Sequence, residues 1–221
     1  MDVHFRSKFP WALVPDKPKV DRRTPRDDAK IYADSFRWVR KSRVPEACWP
    51  WRVAHELGWI VRSPVDVHMT PITDIELACP PDEFDLLERS SGLSELWKRD
   101  STFLALNRTS WLRLYDYRTE SGFSAMFVPN GAGAVEWHLG FEVHIPEGYY
   151  LLILPLSCPP KGLEVPMGII DSKTLEKINN GPGMSIAARP RRSVRIGRRQ
   201  PIARIVLIHA DSIKATATVT G

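Results

Sequence analysis

The chain has 221 residues, 43% of them hydrophobic, enough to bury a sizeable core as one large domain or as a core domain with an elaboration. No apolar run approaches the about 20 residues that span a bilayer, and the first residues lack the basic-then-apolar order of a signal peptide, so we expect a soluble cytoplasmic protein without membrane contact. The net charge of +5 favours an anionic partner, and three cysteines without C-x-x-C spacing argue against a disulfide framework and a thiolate metal site.

The first part of the chain, residues 1–28, is rich in proline and charge and predicts an extended N-terminal arm that Phe9 and Trp11 could anchor. Apolar residues at helical spacing from Ile31 onward then predict a short amphipathic helix that ends at Pro45. A tryptophan-rich segment follows, in which Gly58 ends a helical turn before a strand over 59–62. Tryptophans in such a segment usually belong to the core, and ligand stacking is the alternative.

Residues 64–99 predict two short strands and then helix. The strands cover 65–69 and 72–78, between prolines that end them. Residues 80–99 begin with two prolines and acidic residues and carry apolar faces, which predicts two short helices separated at Ser91 and Gly92. Together these elements make residues 29–101 an α/β elaboration.

From residue 102 onward, short apolar runs alternate with turn residues. They predict strands over 103–106, 111–117, 123–128, 135–138, 141–145, 149–154, 167–170 and 202–208. The segment after Asp171 also reads as strand, including 212–221. Such short, regularly spaced strands favour a sandwich or barrel over βαβ units, so the fold class is mainly β.

Asp171 is the first candidate functional residue, because it is a single carboxylate at the end of an apolar strand. In that position it could act as a general base or contact Mg²⁺. It could equally accept hydrogen bonds from the backbone of the turn that it enters. The residues alone leave both interpretations open.

A second candidate is the turn that carries Ser157 and Lys161, whose hydroxyl and ammonium groups could hold a phosphate. Three prolines nearby remove backbone donors and weaken such a site. Neither G-x-x-x-x-G-K-[ST] nor G-x-G-x-x-G occurs in the chain, so the common nucleotide motifs give no support.

Six arginines fall within one short window and form the third candidate. They are Arg189, Arg191, Arg192, Arg195, Arg198 and Arg199. They favour contacts to phosphate or ion pairs across a subunit interface, and a solvated rim is the alternative. Because no aromatic residues are interleaved, a single-strand nucleic-acid platform is not expected.

Histidines suggest a different class of site. Glu142 and His144 are two residues apart on one strand, near His138, and His209 ends a later strand. Two histidines and a carboxylate would suit iron or zinc. Solvent-facing alternation explains Glu142 and His144 more simply, so no metal site is assigned.

Four motifs in the last third of the chain together resemble the dUTPase and dCTP-deaminase superfamily. They are Pro146-Glu147-Gly148, Leu154-Pro155-Leu156-Ser157, Gly168-Ile169-Ile170-Asp171, and Gly197 followed by Pro201-Ile202-Ala203-Arg204-Ile205. The resemblance implies a distorted jelly-roll barrel that assembles as a homotrimer with active sites between subunits. It also implies that Ser157 belongs to a phosphate loop and that Asp171 matches the carboxylate that orients the attacking water.

Several positions depart from the pattern of that family. Leu156 replaces the arginine that neutralises the triphosphate, and leucine offers no charge. Thr174 stands where a tyrosine stacks on the sugar, and Arg204 stands where the family has glutamine. These departures predict that catalysis has been lost.

The sequence therefore predicts an arm over 1–28, an α/β elaboration over 29–101 and a dUTPase-like barrel over 102–221. We expect a non-catalytic protein, without a cofactor, that binds an anionic ligand or protein partner. The predicted contacts are Ser157, Lys161, Arg189, Arg191 and Arg204. One alternative is a nucleotide hydrolase with Asp171 as base and Mg²⁺, and another is a metal-dependent jelly-roll enzyme built on the histidines.

Overall fold

The computed structural model describes residues 2–21, 23–38, 48–78, 80–83, 85–86, 89, 95–99, 102–106 and 111–219. Its strands are β1 (His4–Ser7), β2 (Trp59–Arg62), β3 (Val67–Met69), β4 (Asp74–Leu77), β5 (Glu95–Arg99), β6 (Thr102–Leu106), β7 (Tyr117–Thr119), β8 (Gly122–Ser124), β9 (Phe127–Gly131), β10 (Ala134–His138), β11 (Phe141–His144), β12 (Tyr149–Leu154), β13 (Leu163–Glu164), β14 (Gly168–Asp171), β15 (Ser185–Pro190), β16 (Val194–Ile196) and β17 (Pro201–His209). Its helices are α1 (Thr24–Ser35), α2 (Trp49–Glu56), α3 (Ser172–Asn180) and α4 (Asp211–Lys214), with 3₁₀ turns at Pro81–Glu83 and Leu112–Tyr115.

Two four-stranded antiparallel sheets form the centre of the molecule, with the strand orders β14-β12-β17-β2 and β13-β15-β10-β9. Smaller antiparallel groups surround them: β1-β11, β16-β3, β4-β6-β5 and β7-β8. Among the described strands these groups do not close into a ring. The prediction of a mainly β fold is confirmed, and the arrangement is compatible with a jelly roll.

The core follows from strand alternation. In β12, Leu151 and Ile153 are buried while their neighbours are partly exposed, as expected when successive side chains point to opposite faces. The largest fully buried side chains include Trp137, Phe127 and Phe141. Burying a large apolar side chain of this kind contributes roughly 1.5–3 kcal/mol, so these strands are held mainly by their inward faces.

The N-terminal arm is more ordered than the sequence suggests, because β1 pairs antiparallel with β11 over the whole length of both strands. Beyond β1, the backbone N–H groups of Lys8 and Phe9 donate to the Gly140 carbonyl at 3.0 and 3.3 Å. The Trp11 ring stacks on Phe9 with ring centroids 5.3 Å apart. Phe9 and Trp11 therefore fix the arm, as the sequence indicated.

Two predicted helical segments lie partly outside the described residues. Within the described residues, both differ from the structure. Helix α1 begins at Thr24, with Pro25 in its first turn, and ends at Ser35, whereas the prediction started after Asp28 and ran to Pro45, which lies outside the described residues. The second predicted helix of residues 80–99 is wrong, because Glu95–Arg99 is a strand paired with β6. The predicted break at Ser91 and Gly92 lies outside the described residues.

Three predicted strands are also wrong. Residues 112–115 form a 3₁₀ turn rather than strand, and the C-terminal segment begins with helix α4. The segment after Asp171 forms α3, which buries Leu175 and Asn179 one helical turn apart. The Asn179 side chain bonds both backbone groups of Val143, at 2.9 and 3.1 Å, and so fixes α3 against β11.

None of the helices in the described ranges is both long and apolar enough to cross a membrane.

Candidate functional site

Asp171 ends β14 and immediately precedes α3. Its backbone is extended, and its carboxylate accepts a hydrogen bond from the Thr174 backbone N–H at 2.6 Å, so it serves as the N-cap of the helix. This hydrogen bond from Thr174, helped by the charges of Lys173 and Lys177, holds the pKa of Asp171 below its ordinary value of 3.8. Asp171 is therefore ionised near neutral pH, and its carboxylate stabilises the first turn of α3.

Ser157 lies at the opposite end of the strand pair from Asp171. The register places Asp171 opposite Tyr150, and Gly168 opposite Ile153, so β12 runs away from Asp171 towards its end at Leu154. The span from Tyr150 to Leu154 is about 13 Å at ~3.3 Å per residue, and Ser157 follows three residues later in an exposed loop. Within one chain, the loop that carries Ser157 therefore starts at the end of the β12-β14 pair opposite Asp171.

The segments that carry Lys161, Arg189 and Arg191 lie side by side. Strand β13 pairs with β15, with Glu164 opposite Arg189, and the backbone N–H of Arg191 donates to the Gly162 carbonyl at 2.8 Å. The Gly162 backbone also lies against the side chain of Arg192, the one further arginine in this group. We call Lys161, Arg189, Arg191 and Arg192 the basic edge.

Glu164 partly neutralises the basic edge. It binds the Arg191 guanidinium and lies 3.5 Å from Arg189 Nη1. The hydrogen bond and charge of Arg191 hold the pKa of Glu164 below its ordinary value, with the charge of Arg189 acting in the same direction. No sequence signal marks this pairing, because Glu164 and the arginines are far apart in the chain and meet only through β13 and β15.

A cavity of about 330 Å³ adjoins the basic edge, between residues 71–74, residues 132–133 and residues 189–191. Asp74 is held there by the Gly133 backbone N–H, which donates to Oδ1 at 2.9 Å. The other oxygen of Asp74 and the Nε–H of Arg189 are buried, and neither finds a hydrogen-bond partner in the described part of the chain. A cationic donor and a carboxylate oxygen, both without a partner, therefore lie buried in residues that line this cavity.

Arg204 lies elsewhere. It pairs with Leu154 and Ile60 in the central sheet, and its Nη1 donates to the Ala54 carbonyl at 2.8 Å. This bond joins β17 to the last turn of α2, where a cation also complements the helix dipole. The described contacts give Arg204 a role in packing and do not bring it to the basic edge.

The histidines that suggested a metal site do not form one among the described residues. His138 is buried in β10 and bonded to the Ala125 carbonyl, while His209 pairs with Asp211 at the end of β17. Within the described ranges, no group of three or more histidine, cysteine or acidic residues could hold a metal ion.

Glu142 is not solvent-facing, contrary to the sequence interpretation. It is 6% exposed, because β1 lies beside it. Arg6 Nη2 lies 2.6 Å from Glu142 Oε2, and Lys8 Nζ lies 3.8 Å from Oε1. Burial acts to raise the pKa of Glu142, but the hydrogen bond and charge of Arg6, with the charge of Lys8, outweigh it and hold the pKa below 4.5.

No family model matches this chain, and no curated protein matches it. Among solved structures, the chain is similar to a mutant dUTPase from phage phi11 of S. aureus, with 10% identity and a TM-score of 0.40 over 100% of this chain and 96% of that one. It is similar to a mutant dUTPase of Staphylococcus bacteriophage 80alpha, with 10% identity and a TM-score of 0.37 over 100% and 95% of the two chains. Neither similarity specifies a ligand or an activity for this chain.

Proposed function

We propose that this chain is a divergent dUTPase-like protein without hydrolytic activity, which binds a multiply charged anion or an acidic partner at the basic edge. The observation that supports the proposal is the β13-β15 pairing, which brings Gly162, the neighbour of Lys161, to the backbone of Arg191 and the side chain of Arg192 and sets Glu164 opposite Arg189. Two carboxylates, Glu164 and Asp74, oppose these four cations. The edge therefore keeps a positive excess that favours anions.

The unsatisfied Nε–H of Arg189 adds a directional donor to this excess. Arg189 already faces Glu164 through Nη1, so its guanidinium is oriented before any ligand arrives. The Nε–H is buried, so the Arg189 side chain must turn towards the adjoining cavity before a phosphate or carboxylate oxygen can accept this bond. Charge-assisted bonds of this kind are stronger than neutral ones.

We infer the loss of hydrolysis from three residues at positions of the dUTPase motifs. Asp171 caps α3, Leu156 supplies no charge beside Ser157, and Arg204 is bonded to the Ala54 carbonyl. The alternative is a nucleotide hydrolase, with Mg²⁺, in which Asp171 of one subunit meets the Ser157 loop of another. Its support is that the carboxylate is ionised and partly exposed, as a water-activating base requires.

The two functions are separated by thermal denaturation with inorganic tripolyphosphate and with dUTP or dCTP, each with Mg²⁺. Binding at the basic edge predicts that tripolyphosphate raises the Tm, that the nucleotides raise it no further, and that added salt reverses the shift. The double variant Lys161→Ala, Arg192→Ala should lose most of the shift, whereas Lys214→Ala, an exposed lysine on α4, should keep it. A larger shift with dUTP or dCTP, unchanged in the double variant, would favour the hydrolase.

A further inference from the structure

Strands β3 and β16 form a two-stranded antiparallel ribbon at the surface of the molecule. Four apolar side chains on one face of the ribbon are at most 5% exposed: Val67, Met69, Val194 and Ile196. The other face is exposed and carries His68 and Arg195, which lie opposite each other in the register. Alternation along both strands therefore turns the apolar side chains inward and leaves a polar outer face.

Exposed arginines follow this ribbon from the basic edge to its far end. They are Arg192, Arg195, Arg198 and Arg199, and we call them the arginine strip. Whereas Arg189 and Arg191 pair with Glu164, no guanidinium group of the strip lies within ion-pair distance of a carboxylate of a described residue. The strip therefore presents four positive charges to the solvent.

The turn after β16 fixes the backbone of the last two arginines of the strip. The Arg198 N–H donates to Asp66 Oδ1 at 2.8 Å, and the Arg199 N–H donates to the Ser63 carbonyl at 2.8 Å. Arg199 has a φ of +71°, a left-handed backbone that is unfavourable for a residue with a Cβ. Glycine would adopt this backbone more readily, but it would remove a cation from the end of the ribbon.

Polar groups lie between the cations of the strip. Ser193 Oγ and His68 Nε2 are 2.7 Å apart on the exposed face, next to Arg195. Asp66, which accepts the Arg198 N–H, offsets one of the four positive charges. Arginine and hydroxyl side chains are common contacts to phosphate in nucleic-acid complexes, so the strip matches a partner that is rich in phosphate.

The outer face of the ribbon favours nucleic acid over a protein partner. Protein–protein interfaces have an apolar centre, whereas this ribbon buries its apolar side chains on the inner face. Interfaces with nucleic acid are more polar and more positively charged. Arginine also suits phosphate, because its planar guanidinium can donate two parallel hydrogen bonds.

The strip also favours a duplex over a single strand. Proteins that bind single strands stack the bases on aromatic rings, and residues 192–199 contain no aromatic residue. Tyr115 lies beside the ribbon, but its ring packs edge to face on Phe127. Arg192 and Arg198 are separated by up to ~20 Å of extended chain. Over that length, one strand of a duplex presents about six phosphates.

We propose that the arginine strip binds the phosphate backbone of duplex nucleic acid, independently of base sequence. This inference rests on the proposed function and deepens it, because Arg192 belongs to both the strip and the basic edge. Each arginine that neutralises a phosphate releases counterions, so the affinity must fall steeply as salt is added.

The test is fluorescence anisotropy of the full chain with labelled duplex DNA, duplex RNA and single-stranded DNA. If each arginine of the strip neutralises one phosphate, the affinity for a duplex should fall about 10²-fold between about 50 and 200 mM salt. The double variant Arg195→Ala, Arg198→Ala loses two of these contacts, so its affinity should fall only about tenfold over the same range. Duplexes of different sequence should bind alike, and the tighter of the DNA and RNA duplexes identifies the source of the phosphates.

The matched control is the double variant Lys177→Ala, Lys214→Ala, which removes two exposed lysines on α3 and α4 and should keep the wild-type salt dependence. The proposal is overturned if neither duplex binds, or if Arg195→Ala, Arg198→Ala keeps the wild-type salt dependence. It is also overturned if the single strand binds as tightly as a duplex. Equally tight binding of polyglutamate would overturn it in favour of an acidic protein partner.

Thermal denaturation with tripolyphosphate separates this inference from the proposed function. The variant Arg195→Ala, Arg198→Ala keeps the whole basic edge, so it should keep the shift in Tm, which also shows that it is folded. If tripolyphosphate stabilises the wild type and no duplex binds, this inference fails and the proposed function stands. If neither tripolyphosphate nor a duplex binds, both fail.

Discussion

The Asp171 carboxylate accepts a hydrogen bond from the Thr174 backbone N–H at 2.6 Å. In the dUTPase family that the sequence resembles, the position of Asp171 holds a carboxylate that orients water. The position of Thr174 holds a tyrosine that stacks on the sugar. Here they bond to each other and start α3, whose Asn179 then fixes the edge of β11. The strand end that would carry the chemistry is thus the starting point of a helix that packs against the sheet.

Replacing Asp171 should separate capping from catalysis. Asp171→Ala removes the cap and should lower the Tm, whereas Asp171→Asn keeps an acceptor and should stay close to wild type, because asparagine caps about as well as aspartate. Since the folded pKa of Asp171 is lowered, its stabilising effect is present above pH 3.8 and is lost as the pH falls through the folded pKa. Thermal melts of the wild type and Asp171→Ala should therefore converge at acidic pH, and a constant gap would contradict the capping role.

The Arg6–Glu142 pair predicts an asymmetric response. Arg6→Ala leaves Glu142 buried, with Lys8 and His144 as its remaining basic neighbours in the described part of the chain, and should cost about 1–3 kcal/mol of unfolding free energy. Glu142→Gln leaves Arg6 exposed to water and keeps an acceptor, so it should cost less. Urea denaturation measures both.

The same pair also sets a dependence on pH. Because the folded pKa of Glu142 is below 4.5, the stability it contributes is present above that value and is lost as the pH falls through the folded pKa. The gap between the wild type and Arg6→Ala should narrow below pH 4.5. A gap that widens on acidification would show that Arg6 acts through another group.

Gly140→Ala should release the N-terminal arm. Gly140 has a φ of +72°, and an added Cβ would lie 2.4 Å from the Trp11 ring, so the arm must move. The left-handed backbone alone costs about 1–2 kcal/mol for a residue other than glycine. Limited proteolysis should cut the variant within residues 8–12 faster than the wild type, whereas Gly197→Ala, whose nearest neighbour is 3.7 Å away, should leave the rate unchanged.

Arg204→Met tests whether this arginine packs or binds. Losing the bond to the Ala54 carbonyl should cost about 1 kcal/mol, while the shift produced by tripolyphosphate stays the same. If Arg204→Met instead abolishes that shift without lowering the Tm, Arg204 belongs to the anion site.

The sequence identified the local elements better than their partners. β12 and β2 begin and end where the apolar runs predicted them, and Gly58 precedes β2 with a φ of +74°. Leu175 and Asn179 lie four residues apart and mark α3, but the strands on both sides obscured that spacing. β5 was predicted as helix because its own propensity does not include its pairing with β6.

The candidate site, too, could be predicted from the sequence only where it does not depend on contacts between distant strands. The alternation that placed Glu142 towards solvent is correct for an edge strand, and it fails here because β1 covers that face with Arg6. The cationic cluster was visible in the sequence, whereas its partial neutralisation by Glu164 and the unsatisfied Arg189 Nε–H depend on contacts between distant strands.

Release of pyrophosphate from dUTP and dCTP with Mg²⁺ is the most direct measurement of the central claim. If Asp171 caps α3 and binds no water for attack, we expect no release of pyrophosphate above the protein-free blank. Mg²⁺-dependent release that disappears in Asp171→Asn, while that variant keeps the wild-type Tm, would contradict the account and make the chain a nucleotide hydrolase.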